Sequence, residues 1–246
     1  MVKHRVAFAA TLAAALTACG TDDARSDVQP EPELENPEAY FGLDVCTCYE
    51  YVPVGGGNEV LGIAVESVTD TVAGSGGNME HVVRYRRNGA EIRQDVYRPT
   101  DPDLLLRQVT IGSPAAGTIW QSSPPVPWLR FPVESGKQVT QDATFTEFGG
   151  DQTEEVAFVA NYLAEQVQAS TDGGEPETFD AVRISYQGLP FSELPRWFVP
   201  ETGFVRVELD IEGTRTRWQL ANKRVLEGGC PWEPGEQIGD TCSLPD

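Results

Sequence analysis

Histidine is almost missing from this chain: His4 and His81 are the only two in 246 residues. His4 falls in an N-terminal stretch that reads as cleaved, so a metal site of two or three imidazoles cannot be assembled. Any Ser–His or Cys–His mechanism would rest on His81 alone. Flanked by Met79, Glu80, Val82 and Val83, His81 reads instead as a hydrogen-bonded structural imidazole in a strand. There is no G-x-S-x-G elbow, since Gly74-Ser75-Gly76 lacks the outer spacing. There is no Cys-x-x-Cys, which removes thioredoxin-type redox chemistry. A D-x-D-x-D-G calcium loop is absent too, and Asp101-Pro102-Asp103 reads as a turn. Neither Gly55-Gly56-Gly57 nor Gly74-Ser75-Gly76-Gly77 leads into a convincing helix, so both are turns and not phosphate cradles. Nothing in the sequence calls for a cofactor.

Positive charge is also scarce. Eighteen Lys and Arg face 38 Asp and Glu, for a formal charge of −20. Such a surface repels phosphate backbones, so no nucleic acid is expected as a partner. The clustered carboxylates read as a solvated acidic face. Paired carboxylates for glycoside hydrolysis need only two acids at the right separation. With 38 available, that criterion supports nothing.

Long apolar runs are confined to the N-terminus. Lys3 and Arg5 precede an uncharged run, Val6 to Leu16, which closes as Leu16-Thr17-Ala18-Cys19-Gly20. The run is shorter than the roughly 20 residues of a bilayer-spanning helix, and residues 1–18 read as an export signal. The Leu-to-Cys string is the lipobox, and it resembles that of bacterial lipoproteins. The resemblance implies cleavage before Cys19, lipid attachment at Cys19 and a membrane partner through that anchor. One acyl chain binds only marginally, at about 0.8 kcal/mol per buried CH₂, so several chains are needed to hold the protein. Gly20 stands where inner-membrane lipoproteins often carry Asp, so the resemblance favours the outer membrane. Loss of residues 1–18 removes Lys3 and Arg5 but no acid, which moves the formal charge from −20 to −22.

Residues 19–42 read as a disordered acidic tether. They hold Asp22, Asp23, Asp27, Glu31, Glu33, Glu35 and Glu38 with Pro30, Pro32 and Pro37, and almost nothing to bury. A single β-domain is expected over 43–229, with a Cys-containing tail at 230–246. Asn88-Gly89 between alternating runs predicts a hairpin. Val205, Val207, Leu209 and Ile211 alternate with Arg206, Glu208 and Asp210, and Glu212-Gly213 leads into Thr214–Leu220, which predicts another. Further strands are expected near 59–68, 103–111, 137–148 and 179–187. Residues 154–169 fit a helical stripe through Val156, Val159, Leu163 and Val167 as well as a strand.

Cys46, Cys48, Cys230 and Cys242 remain after Cys19. An even number in an exported chain reads as disulfides. Cys46 and Cys48, two apart on one strand face, are expected to cross separately to Cys230 or Cys242, tying the first strand to the tail. Trp120, Trp128, Trp197, Trp218 and Trp232 read as core packing, with a ligand slot as the lesser alternative.

Three stretches follow in order: Trp128-Leu129-Arg130-Phe131-Pro132-Val133-Glu134-Ser135-Gly136-Lys137, Glu177-Thr178-Phe179-Asp180-Ala181-Val182, and Arg196-Trp197-Phe198-Val199-Pro200-Glu201-Thr202-Gly203. They resemble exported lipoproteins related to the LolA/LolB carriers, although Glu177 and Val139 depart from the pattern. The resemblance implies an all-β fold with a strongly bent antiparallel sheet, a half-barrel, and assigns 154–169 to a strand. It carries over no catalytic residue. The expectation is a non-enzymatic, lipid-anchored envelope protein whose β-domain binds an apolar ligand, a lipid, or an envelope protein. The rivals are a purely structural lipoprotein and a carbohydrate-active enzyme.

Overall fold

The computed structural model describes residues 34–69, 79–113, 115–211 and 213–226. Helix α1 (Pro37–Phe41) is followed by β1 (Thr47–Pro53), β2 (Leu61–Thr69), β3 (Met79–Arg87), β4 (Ala90–Pro99), β5 (Asp103–Ile111) and β6 (Thr118–Arg130). Then come β7 (Gln138–Glu147), β8 (Thr153–Ala169), β9 (Glu177–Gln187), β10 (Arg196–Val199), β11 (Gly203–Ile211) and β12 (Thr214–Val225). Each strand pairs antiparallel with its sequence neighbour, and β1 pairs with β12 from Thr47↔Val225 to Pro53↔Trp218. The all-β expectation holds, but the half-barrel does not. The sheet closes on itself into a twelve-stranded barrel, and closure removes both sheet edges.

Alternation accounts for most of the strands. In β11, Val205, Val207 and Leu209 are buried while Asp210 is exposed. At the β3–β4 turn, Asn88 and Gly89 have φ of 49° and 82°, the positive-φ pair a two-residue hairpin requires. Residues 154–169 are strand, because β8 has a partner on each side. It pairs with β7 from Gln138↔Asn161 to Thr146↔Thr153, and with β9 from Val159↔Gln187 to Ala169↔Glu177. Those two ladders override the helical propensity of its Ala and Glu residues.

The tether reading also needs correction at its end. Pro37–Phe41 form one helical turn, with Asn36 Oδ1 accepting from Ala39 N at 3.1 Å. Phe41 is buried in the core cluster with Leu43, and Tyr40 packs edge-on against Phe131 at 5.0 Å. Tyr40 Oη accepts from Val133 N at 3.0 Å, and Tyr40 O accepts from Glu201 N at 2.9 Å. Gly42, at φ 67°, leaves the helix so tightly that a Cβ there would lie 2.6 Å from the Gly203 Cα. The acidic composition of the segment concealed Tyr40 and Phe41, whose rings supply the apolar surface that folds it.

This turn closes one end of the barrel, the plugged end, where the chain enters. The C-terminal side of β12 returns to the same end, Leu226 N donating to Cys46 O at 3.0 Å. At the opposite, open end lie the β3–β4 and β11–β12 hairpins and the longer connections 112–117 and 188–195. Inside, Trp128, Trp218, Tyr51, Tyr85, Tyr97, Phe145, Phe158 and Phe198 are fully buried. Trp128 stacks on Tyr186 at 3.9 Å. The outer wall carries ion pairs, among them Arg84–Glu66 at 2.9 Å and Arg217–Glu208 at 2.6 Å. An apolar inside and a charged outside is the reverse of a lipid-facing barrel.

Candidate functional site

The barrel interior holds a buried group of four charges. Arg93 and Asp95 come from β4, Arg196 from the start of β10, and Glu193 from the connection that precedes it. Arg93 Nε donates to Asp95 at 2.6 Å, and Arg93 Nη1 lies 2.6 Å from Glu193. Arg196 Nε donates to Glu193 at 2.9 Å, and Arg196 Nη2 to Asp95 at 3.2 Å. Tyr85 Oη accepts from Arg196 Nη1 at 2.5 Å, and Tyr97 Oη donates to Asp95 at 2.8 Å. The Arg196 guanidinium also faces the rings of Trp128, Tyr85 and Phe204 at 5.3–5.4 Å. Two cations and two anions cancel, as buried charge requires.

Burial alone would raise the Asp95 pKa, but Arg93 and Arg196 more than reverse it and hold the carboxyl below its usual range. Desolvation would lower Arg196, but Glu193, Tyr85, Tyr97 and Asp95 keep it firmly protonated. Tyr85 and Tyr97 are pushed up by burial and stay phenols. A carbohydrate hydrolase needs an acid whose pKa is raised, and a carboxylate that substrate can reach. Asp95 and Glu193 face the same arginines, yet Asp95 is held ionised and both carboxylates are sealed from solvent.

The same connection that contributes Glu193 roofs a pocket of about 390 Å³ at the open end. β10 stops at Arg196, opposite Val207, so β11 beyond that point lacks its β10 neighbour. There Ser192 and Leu194 face Leu209 and Ile211 of β11 across the mouth from Ile92 and Ile111. Glu193, between Ser192 and Leu194, points down and is gripped by Arg93 and Arg196. One residue thus fastens the roof to the barrel. Val54, Val60, Ile111 and Phe148 all sit at this end and are exposed, Phe148 by 68%. They are four of the six large exposed apolar side chains among the described residues. Below the charge group, the cavity behind α1 measures about 20 Å³. A more open hollow of about 360 Å³ lies where β6 parts from β7, lined by Ser123, Asp142, Thr144 and Glu155 among others.

Cys19, Cys230, Cys242 and Trp232 lie outside the described residues. Cys46 and Cys48 are buried, but Cys46 precedes β1 with φ 67°, so the two are not successive residues of one extended face. Trp120, Trp128, Trp197 and Trp218 are buried. Trp197 lies on the outer wall, flanked by Arg183, Arg206 and Arg217 at 5.4–5.7 Å. His81 is fully buried under α1, with Nε2 3.3 Å from Glu38. Desolvation lowers its pKa, partly offset by Glu38 and Asp44.

The charge group and the open-end pocket were not anticipated from sequence. Arg93, Asp95 and Tyr97 share one strand face, a period-2 signal in principle. The opposite face holds Gln94, Val96 and Arg98, which is equally mixed, so polarity did not tell inside from outside.

No family profile matches the chain, and no curated protein matches it. Two solved structures do. One, described as an exported protein of YmcC-like fold from Bacteroides fragilis, is 13% identical, with a TM-score of 0.41 over 75% of this chain and 98% of that one. The other, described as a lipoprotein from Parabacteroides distasonis, is 15% identical, with a TM-score of 0.38 over 75% of this chain and 97% of that one. The LolA/LolB resemblance is not confirmed by these comparisons.

Proposed function

We propose that this protein is an exported envelope lipoprotein, held in the outer membrane by acyl chains on Cys19, whose barrel binds a small apolar ligand at its open end without catalysis. The observation that carries the reading is the 390 Å³ pocket, whose lining includes the aliphatic side chains of Ile92, Ile111, Leu194, Leu209 and Ile211. Its volume falls within the ~300–1,000 Å³ range of small-molecule sites. The cavity behind α1 is only about 20 Å³, so the reading places the ligand at the mouth.

Two experiments test this. Mass spectrometry of the protein matured in a bacterial host is expected to find acyl chains on Cys19; an unmodified mature N-terminus would refute the anchor. The acyl-free domain is expected to enhance the fluorescence of Nile red, an uncharged apolar dye, and Ile111→Asp is expected to abolish that enhancement. No enhancement in the wild type favours the purely structural lipoprotein.

The same reading includes disulfides from Cys46 and Cys48 to the tail. Neither is a free thiol, and the Leu226–Cys46 contact sets the tail off four residues from Cys230, beside the start of β1.

A further inference from the structure

We infer that the open-end pocket selects uncharged amphiphiles, such as esters and alcohols of medium chain length, against the matching carboxylates. The inference rests on the open-end ligand reading above and names the ligand class for that site. A fatty carboxylate needs a cation of unbalanced charge where its head is buried, and none is on the lining among the described residues. Arg93 is the sole cation among the described lining residues. Its Nε and Nη1 are taken by Asp95 and Glu193, and although its Nη2 is buried without a hydrogen-bond partner, its charge is already balanced within the neutral buried group. Nearby, Arg215 and Arg217 both engage Glu208, and Arg84 engages Glu91. The lining adds Asp210, which is exposed and has no ion pair among the described residues. The remaining charge at the lip is therefore negative, on a chain of formal charge −20. A carboxylate entering this mouth exchanges water for apolar side chains, with no counter-charge to offset its desolvation. It also approaches against Asp210, an acid on the lining. An ester or hydroxyl head meets neither penalty, while its chain buries the same apolar area.

The test displaces Nile red from the acyl-free domain at pH 7.5, using methyl decanoate, 1-decanol and sodium decanoate below its micelle concentration. The ester and alcohol are expected to displace the dye at concentrations at least tenfold lower than decanoate. Salt at 0.5 M is expected to narrow that gap by screening Asp210. Asp210→Lys should bring decanoate to within threefold of the ester measured on the same variant. Displacement by none of the three overturns the pocket itself. Equal or tighter binding of decanoate to the wild type overturns the charge selection and leaves the pocket standing. A D210K protein that binds the ester normally but still rejects decanoate equally overturns it.

Discussion

Arg196 is the residue on which most of the interior converges. Its guanidinium bonds Glu193, Asp95 and Tyr85 and faces the rings of Trp128, Tyr85 and Phe204, so removing it leaves two buried carboxylates to share Arg93 alone. Breaking one partner of such a group costs about 3–5 kcal/mol, whereas exchanging the whole group for apolar residues is often neutral. Arg196→Met is accordingly expected to lower unfolding free energy in urea by about 3–5 kcal/mol. Arg196→Lys should recover little of it, since one ammonium cannot reproduce the guanidinium fork. Because Asp95 is held below its ordinary pKa, its contribution is present above about pH 4 and is lost as pH falls through the folded value. None of this was legible in the sequence, where Glu193 and Arg196 lie among Ser, Leu and Pro with no periodicity to assign them inward. His81 was legible as a structural group, but not as one sealed by the segment read as tether.

Elements were easier to read than sites wherever a single ladder decided them. The Asn88-Gly89 hairpin and the alternation of β11 follow from local rules. β8 needed both of its neighbours, and α1 needed the barrel end it closes. Two deletions separate α1 from the stretch before it that was read as tether, residues 19–33 of which lie outside the described residues. A chain beginning at Leu34 is expected to melt like the mature protein. One beginning at Asp44 loses Phe41, Leu43 and the Tyr40 bonds, and should be less stable by about 3–5 kcal/mol, the cost of losing a buried aromatic. His81 gives α1 a pH signature. Desolvation lowers its folded pKa, so both states are neutral above about 6.5. As pH falls below that, the unfolded chain takes up the proton first and stability declines. Thermal melts between pH 7 and pH 5 should show this decline in the wild type, and a smaller one in His81→Gln.

At the scale of the molecule, closure is the property the sequence withheld. Alternation specifies which face of each strand is wet, but nothing local says that Thr47 pairs with Val225. That contact is what makes a barrel out of a bent sheet, and it is also where the proposed disulfides fall. Leu226 N bonds Cys46 O at 3.0 Å, so bridges from Cys46 and Cys48 to Cys230 and Cys242 would staple the closing seam and the plugged end together. Each joins residues far apart in sequence, for which chain-entropy reasoning gives about 4–5 kcal/mol, and removal of native disulfides commonly costs about 2–5 kcal/mol. Peptide mapping without reductant is expected to recover Cys46 and Cys48 each linked to a tail cysteine, and Cys230→Ser with Cys242→Ser to lower the midpoint in guanidinium. A Cys46–Cys48 bridge, or tail thiols that alkylate freely in the native protein, would leave the β1–β12 ladder to hold the seam by hydrogen bonds and packing alone. In that event the tail is dispensable, and deleting residues 227–246 should not change the unfolding midpoint.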